Sequence, residues 1–253
     1  MDGEGAVKEI PYARNIPPQA KKKDCVPSWI TQEANGYVYM WYHPERVAPL
    51  WDLMVIPEYG RPDWTGYAKY RWNIYTAVEN VSDNAVDTAH FRYVHRTENV
   101  PDYEFNFDGI HRSSIARAKL GTPQGTVDGA IESRAIGSQG YTKFTGISET
   151  MLIGSSVPVE RDQIQYLYGF IQPKAEAEGP MAGVAKAIIK DICYQFDEDK
   201  QILDNHKRMD PPLICDGDGP FGRSRQFNSQ FFVSRGNPYR GPDATDPQSI
   251  AAE

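Results

Sequence analysis

Cysteine is scarce in this chain. Cys25, Cys193 and Cys215 are the only three in 253 residues. They are odd in number, far apart and form no C-x-x-C or C-x-H pair, which leaves no basis for a disulfide framework or a zinc knuckle. Long apolar runs are also missing: no window approaches the roughly 20 residues of a membrane span, and no apolar N-terminal h-region is present. Positive charge is in deficit, with 27 Lys and Arg against 34 Asp and Glu and a formal net charge of -7. A nucleic-acid binder needs a basic stripe, and the one basic run, Lys21-Lys22-Lys23, is short. The expectation is a soluble protein of a reducing, cytoplasmic setting, with one large core and an additional segment.

What is present follows two periods. The first 35 residues carry Pro11, Pro17, Pro18 and Pro27 without sustained periodicity and read as a loop-rich lead-in. Residues 36–43 are dense in aromatic and β-branched side chains and stop at Pro44, as a strand does. Residues 51–66 read as a loop with a short strand at 53–56, and 67–74 as another strand. Residues 103–107, 113–120, 125–135, 141–153 and 163–171 are separated by Gly, Pro or Ser and predict an antiparallel meander. From 181 to 206 the spacing becomes helical, with Val184, Ile188, Ile189, Ile192, Phe196 and Leu203 on one stripe. The composite is an α+β plan, a twisted antiparallel sheet wrapped on one long helix, with its ligand cavity between the two. Residues 234–253 read as a loose tail.

Histidine is scarce too, at five in the chain, yet two fall in the segment Asn84-Ala-Val-Asp87-Thr-Ala-His90-Phe-Arg-Tyr-Val-His95. Neutral imidazole suits zinc, iron, copper and nickel, so a third ligand decides what this segment can hold. Continuing the stripe of the late helix lands on Asp199 before Leu203, which points that carboxylate inward. Asp197 and Glu198 lie off the stripe and are expected in solvent. A carboxylate on an apolar face costs several kcal/mol unless paired or metal-bound. Either an Arg or Lys from the sheet neutralises Asp199, or it joins His90 and His95. Two His and one carboxylate with open positions opposite is the arrangement of non-haem Fe(II) oxygenases.

The spacing makes demands on the backbone. Asp87 and His90 are three apart, so on a helix the carboxylate can accept the ring N–H that His90 does not use on metal, with Ser82 or Asp83 as cap. His90 and His95 are five apart, about 140° around a regular helix. The helix has to end, or bulge in the π sense, near Tyr93 or Val94. His43 reads as a turn residue, His111 as a strand-end surface residue, and His206 as the helix-terminal imidazole.

These residues resemble the catalytic domain of Rieske non-haem iron oxygenases, especially the 3-ketosteroid 9α-hydroxylase oxygenase component and related sterol desaturases. The family motif of Asn or Asp followed by Asp-x-x-His-x-x-x-x-His is matched by Asn84, Asp87, His90 and His95. Gln195-Phe-Asp-Glu-Asp199, followed by Asp210-Pro-Pro-Leu and Asp218-Gly-Pro, is similar to the segment carrying the family's aspartate ligand. The resemblance implies a helix-grip (START/Bet v 1-like) fold, Fe(II) held by His90, His95 and Asp199, and O2-dependent hydroxylation or desaturation of an apolar polycyclic, steroid-like substrate. It implies that Asp87 bridges to the cluster domain of a neighbouring subunit in a homotrimer fed by a reductase or ferredoxin. Asn84 would sit near the iron, with Gln195, Phe196 and Tyr93 as pocket residues.

The chain departs from the family in lacking the C-x-H and C-x-x-H ligands of a [2Fe-2S] cluster. Residues 1–50 resemble the closing part of that cluster domain, 51–233 the mononuclear-iron domain and 234–253 a tail, so a truncated oxygenase is expected. Two other readings stand beside this one. The first is a non-catalytic hydrophobic-ligand binding module of the same fold. The second, a 2-oxoglutarate oxygenase, needs a carboxylate two residues after the first His, where this chain has Arg92.

Overall fold

The computed structural model describes residues 1–98, 100–122, 125–209 and 211–232. Asp210 and the tail expected at 234–253 lie outside the described residues. Two compact units are present, one built on Met1–Asp52 and a larger one that begins at Leu53.

The smaller unit is mostly turns around one hairpin, β1 (Thr31–Ala34) and β2 (Tyr37–Met40). Asn35 and Gly36 join the strands with φ of 51° and 68°. That is the Asn-Gly signature of a tight hairpin turn, whose backbone twist matches the strands. The expected strand at 36–43 is therefore shorter, and its partner is drawn from the end of the lead-in.

The larger unit carries β3 (Ala68–Ile74), α1 (Val78–Asn84), α2 (His90–Tyr93), β4 (Tyr103–Asp108), β5 (His111–Thr122), β6 (Gly125–Ile136), β7 (Gln139–Thr145), β8 (Thr150–Glu160) and β9 (Gln163–Ile171). Three helices follow: α3 (Lys174–Ala177), α4 (Ala182–Leu203) and α5 (Phe221–Ser229). Strands β4 to β9 form the expected meander, and β3 closes the seven-stranded antiparallel sheet by pairing with β9. The expected single strand over 141–153 is two strands, because the chain reverses at Gly146, whose φ of 119° suits glycine. The expected strand at 53–56 does not form. Met54 is held instead by the Gln139 side chain, whose amide oxygen accepts the Met54 N–H at 2.9 Å while its NH2 donates to the Met54 carbonyl at 3.1 Å.

Side chains alternate across a strand, so one face of the sheet presents Ile164, Tyr166, Tyr168 and Phe170 of β9 to α4. Helix α4 answers with Ala185, Ile189, Cys193, Phe196, Asp199 and Leu203, all buried at i+3/i+4 spacing. The stripe runs about one position off the expected one, since Val184 is exposed and Cys193 is buried. Phe196 and Leu203 pack on Ile74 and Ile164, and Ile189 and Cys193 on Leu152 and Phe170. The buried Gln172 amide donates to Thr150 Oγ1 at 2.8 Å and to the Ala185 carbonyl at 2.9 Å, which pins the first turns of α4 to the sheet.

A buried ion pair ties α1 to α5. Arg225 meets Asp83 through Nε at 3.1 Å and Nη2 at 2.6 Å, and Arg208 adds a contact at 3.3 Å. Removing one member of such a pair leaves the other charged and desolvated, at about 3–5 kcal/mol. Asp83→Ala is therefore expected to lose about 3 kcal/mol in urea unfolding, while an apolar double replacement of Asp83 and Arg225 recovers most of it; equal losses in both would contradict this account of the pair.

Candidate metal centre

Helix α1 ends at Asn84, the chain crosses the fully buried Val86, and a new turn begins at His90. Asp87 makes that restart. Its Oδ1 accepts the N–H of Ala89 at 3.1 Å and of His90 at 3.3 Å, the local hydrogen bonding that favours Asp at turns and helix starts. The expected caps do other work: Ser82 donates to the Glu79 carbonyl and Asp83 holds the arginines. The ring of His90 is held through Nδ1 by the main-chain carbonyl of Asp87, and not by its carboxylate as the spacing suggested. A ring N–H donated there leaves the Nε2 lone pair free on the opposite side.

The required break between the histidines is present. The carbonyl of His90 accepts both the Val94 N–H at 2.7 Å and the His95 N–H at 3.2 Å, the second being an i+5 bond of the π type. Arg96 then takes φ of 59° and ends the turn. The two imidazoles come to lie 4.9 Å apart between centroids with planes at 81°.

Asp199 arrives from α4. Its Oδ1 is 3.1 Å from His95 Nε2 and 4.0 Å from His90 Nε2, and its Oδ2 accepts from Asn84 Nδ2 at 3.3 Å. The ligand atoms of His90, His95 and Asp199 all fall within 4.8 Å of one another. Despite the short approach to His95, Asp199 Oδ1 is buried and makes no hydrogen bond of acceptable geometry. Such an oxygen costs about 1–3 kcal/mol or more if nothing else compensates it. Two ligands about 2.1 Å from one ion and at right angles lie about 3.0 Å apart, so the His95–Asp199 spacing suits a shared cation. Two neutral imidazoles and one carboxylate, enclosed and without a Lys or Arg partner for Asp199 among the described residues, fit a divalent transition metal.

Glu198 is the functional residue that the pattern missed. It was expected in solvent, yet its side chain is only 13% exposed and accepts from His95 Nδ1 at 3.2 Å and from Arg96 Nη1 at 2.5 Å. Each histidine thus has an acceptor behind it, a carbonyl for His90 and a carboxylate for His95. Asp197 is also engaged, accepting the Trp72 indole N–H at 2.7 Å. Burial works to lower the His95 pKa, but Asp199 and then Glu198 outweigh it and leave the net shift upward. Arg96 and then His95 hold the Glu198 carboxyl below its ordinary value.

Other candidates are placed as follows. Phe196 lies one turn before Asp199 and meets the rings of Tyr166, Tyr168 and Trp72 at 4.8–4.9 Å. Tyr93 is 77% exposed and lines an open groove of about 440 Å³ with Tyr194 and Ile202. Gln195 donates to Asp191 on its own helix. The structure does not bring Tyr93 or Gln195 together with the His-His-Asp group. Gly219 does belong to its support: a Cβ there would lie 1.7 Å from the Val86 carbonyl oxygen, so only glycine lets this strand of chain lie against the turn that carries Asp87.

Comparison with known proteins gives the chain's family and fold. The profile of the 3-ketosteroid 9α-hydroxylase C-terminal domain matches residues 40–232. A 3-ketosteroid-9-alpha-monooxygenase oxygenase component of Rhodococcus rhodochrous is 31% identical over 91% of the chain, which spans 62% of that relative's length. A cholesterol 7-desaturase of Xenopus laevis is 23% identical over 90% of the chain and 55% of its own length. Among solved structures, dicamba monooxygenase bound to dicamba superposes with a TM-score of 0.60 at 17% identity, covering 90% of this chain and 75% of that one, a likeness of fold.

His95 provides a pH test. Its raised folded-state pKa contributes stability that is full below the ordinary imidazole value of 6.5 and is lost as pH rises through the folded value. The metal-free chain is expected to melt at lower temperature as pH climbs through the neutral range. Glu198→Ala should flatten that slope and weaken divalent-metal affinity about 10–100-fold in a chelator competition. Unchanged affinity would show that Glu198 does not orient the ligand.

Proposed function

The chain belongs to the 3-ketosteroid 9α-hydroxylase C-terminal domain family, and we propose that it is the mononuclear-iron domain of an oxygenase that acts on an apolar, steroid-like substrate. The observation that carries this reading is the buried Asp199 Oδ1, which faces two imidazole Nε2 atoms and has no hydrogen bond of its own. His90, His95 and Asp199 would hold Fe(II), which would supply dioxygen activation with electrons delivered from outside the site, chemistry that no side chain here can perform.

The chain's own residues do the rest. Two imidazoles and one carboxylate would leave further positions on such an ion for oxygen and substrate. The Asp87 carbonyl and the Glu198 carboxylate fix the two ring planes, and each keeps an Nδ1 proton away from the ligand nitrogen. Asn84 occupies Asp199 Oδ2 and so favours binding through Oδ1 alone. Phe196, Tyr166, Tyr168 and Trp72 form an aromatic wall beside the centre that excludes water and accepts apolar rings.

The family likeness supports a reading of the wider assembly. The fold is of the helix-grip type, with residues 1–50 as the closing part of a Rieske domain and 51–233 as the iron domain. The carboxylate of Asp87 links the site to the [2Fe-2S] domain of a neighbouring subunit in a homotrimer, supplied by a reductase or ferredoxin. The reaction is hydroxylation, with desaturation as the variant that a sterol-desaturase relative suggests.

Iron content and ligand binding test this reading together. The chain reconstituted anaerobically with Fe(II) is expected to retain about one iron, and His90→Ala and Asp199→Ala to retain almost none, since such a site needs all three ligands. A steroid ketone should bind the iron-loaded chain and perturb its iron spectrum. Binding that is the same with and without metal, in a chain that keeps no iron, would identify a ligand carrier instead.

A further inference from the structure

The inner face of the sheet carries one charge that the metal centre does not use. Arg112 lies on β5, and the strand register runs across one face from Arg112 to Ala135, Gly140, Gly154 and Tyr168. Tyr168 packs on Phe196 of α4, so Arg112 belongs to the face that looks toward the helix and the His-His-Asp group. Between the arginine and the tyrosine this row has almost no side-chain volume: one methyl group and two glycines. At about 4.8 Å per strand the row spans about 19 Å; the Tyr168 ring lies over its Gly154 end, where a Cβ would be 3.7 Å from Cε1, which leaves Ala135 and Gly140 as the low floor beside Arg112.

The Arg112 side chain makes no hydrogen bond or ion pair with any described residue. Burial pulls its pKa down, and no carboxylate stands near enough to offset that. A guanidinium remains a cation under these conditions and has five N–H donors to satisfy. The Tyr166 hydroxyl reaches over Gly154, where a Cβ would lie 3.8 Å from it. Its pKa is pushed up to about 12, chiefly by burial, with Arg112 lowering and Asp199 raising it, so this phenol stands within the field of both groups. Tyr166 and Tyr168 are partly buried on this face, and burial pushes both phenols up.

We propose that Arg112 is a specificity-determining residue that receives the carboxylate of an otherwise apolar substrate, whose rings lie over Ala135 and Gly140 and extend past the Tyr166 and Tyr168 rings toward the His90–His95–Asp199 centre. The assignment rests on the apolar-substrate reading given above and adds the substrate's polar end. A carboxylate meets the planar fork of the guanidinium with two parallel hydrogen bonds and cancels its charge, whereas a neutral carbonyl offers one acceptor oxygen and leaves the charge in place. The charge sum favours the anion further. A divalent ion held by two neutral imidazoles and one carboxylate leaves one positive charge at that end, and Arg112 adds a second.

The test compares an androstenone carboxylic acid with its methyl ester, by equilibrium binding to the 253-residue chain loaded anaerobically with Fe(II). The acid is expected to bind about tenfold or more tightly than the ester, the usual yield of a charge-assisted pair. Arg112→Leu should bring the ratio to about one by weakening the acid far more than the ester, and Arg112→Lys should keep part of the preference. Equal binding of acid and ester to the unaltered chain overturns the assignment without any variant, as does an undiminished preference in Arg112→Leu. Failure of both ligands to bind the iron-loaded chain overturns the apolar-substrate reading and this assignment with it.

Discussion

The larger unit is organised around one buried carboxylate. Asp199 sits on the apolar stripe of α4 between Phe196 and Leu203, where an ionised group costs several kcal/mol unless something compensates it. Neither Lys nor Arg among the described residues does so. His90 and His95 face the same oxygen, and Asn84 holds the other. The surrounding structure can be read as what is needed to keep these groups converged: a sheet that supports α4 along its length, an interrupted helix that turns two imidazoles onto one point, and acceptors that fix their rings.

Much of this was legible in residue spacing. The inward turn of Asp199 follows from continuing the i+3/i+4 stripe, even though the stripe itself runs about one position away from the expected one. The break between His90 and His95 follows from their 140° separation on a regular helix. The structure meets that demand with a single i+5 hydrogen bond and a left-handed Arg96. Strand alternation located the meander, but the Asn35-Gly36 turn, which its residue types announce, was not read from the sequence.

What was not legible has physical reasons. Asp87 orients His90 with a main-chain carbonyl, and residue identity says little about where a carbonyl points. Glu198 serves His95 across 103 residues of sequence from a position off the apolar stripe, where an acid ordinarily means solvent. The Asp83–Arg225 pair spans 142 residues, and neither member has a local signature. Arg112 reads as an ordinary strand-end charge until the register shows which face it occupies and how little stands between it and Tyr168. Long-range polar partners are set by topology, and topology is what spacing along the chain conveys least.

The most direct test is an anomalous-difference map at the iron edge from crystals of the Fe(II)-loaded chain. The account predicts one strong peak about 2.1 Å from His90 Nε2, His95 Nε2 and Asp199 Oδ1, with the Asp87 carbonyl still on His90 Nδ1 and Glu198 on His95 Nδ1. A map without a peak there, with His95 Nε2 donating directly to Asp199 Oδ1, would contradict it and make the cluster an ordinary buried ion pair.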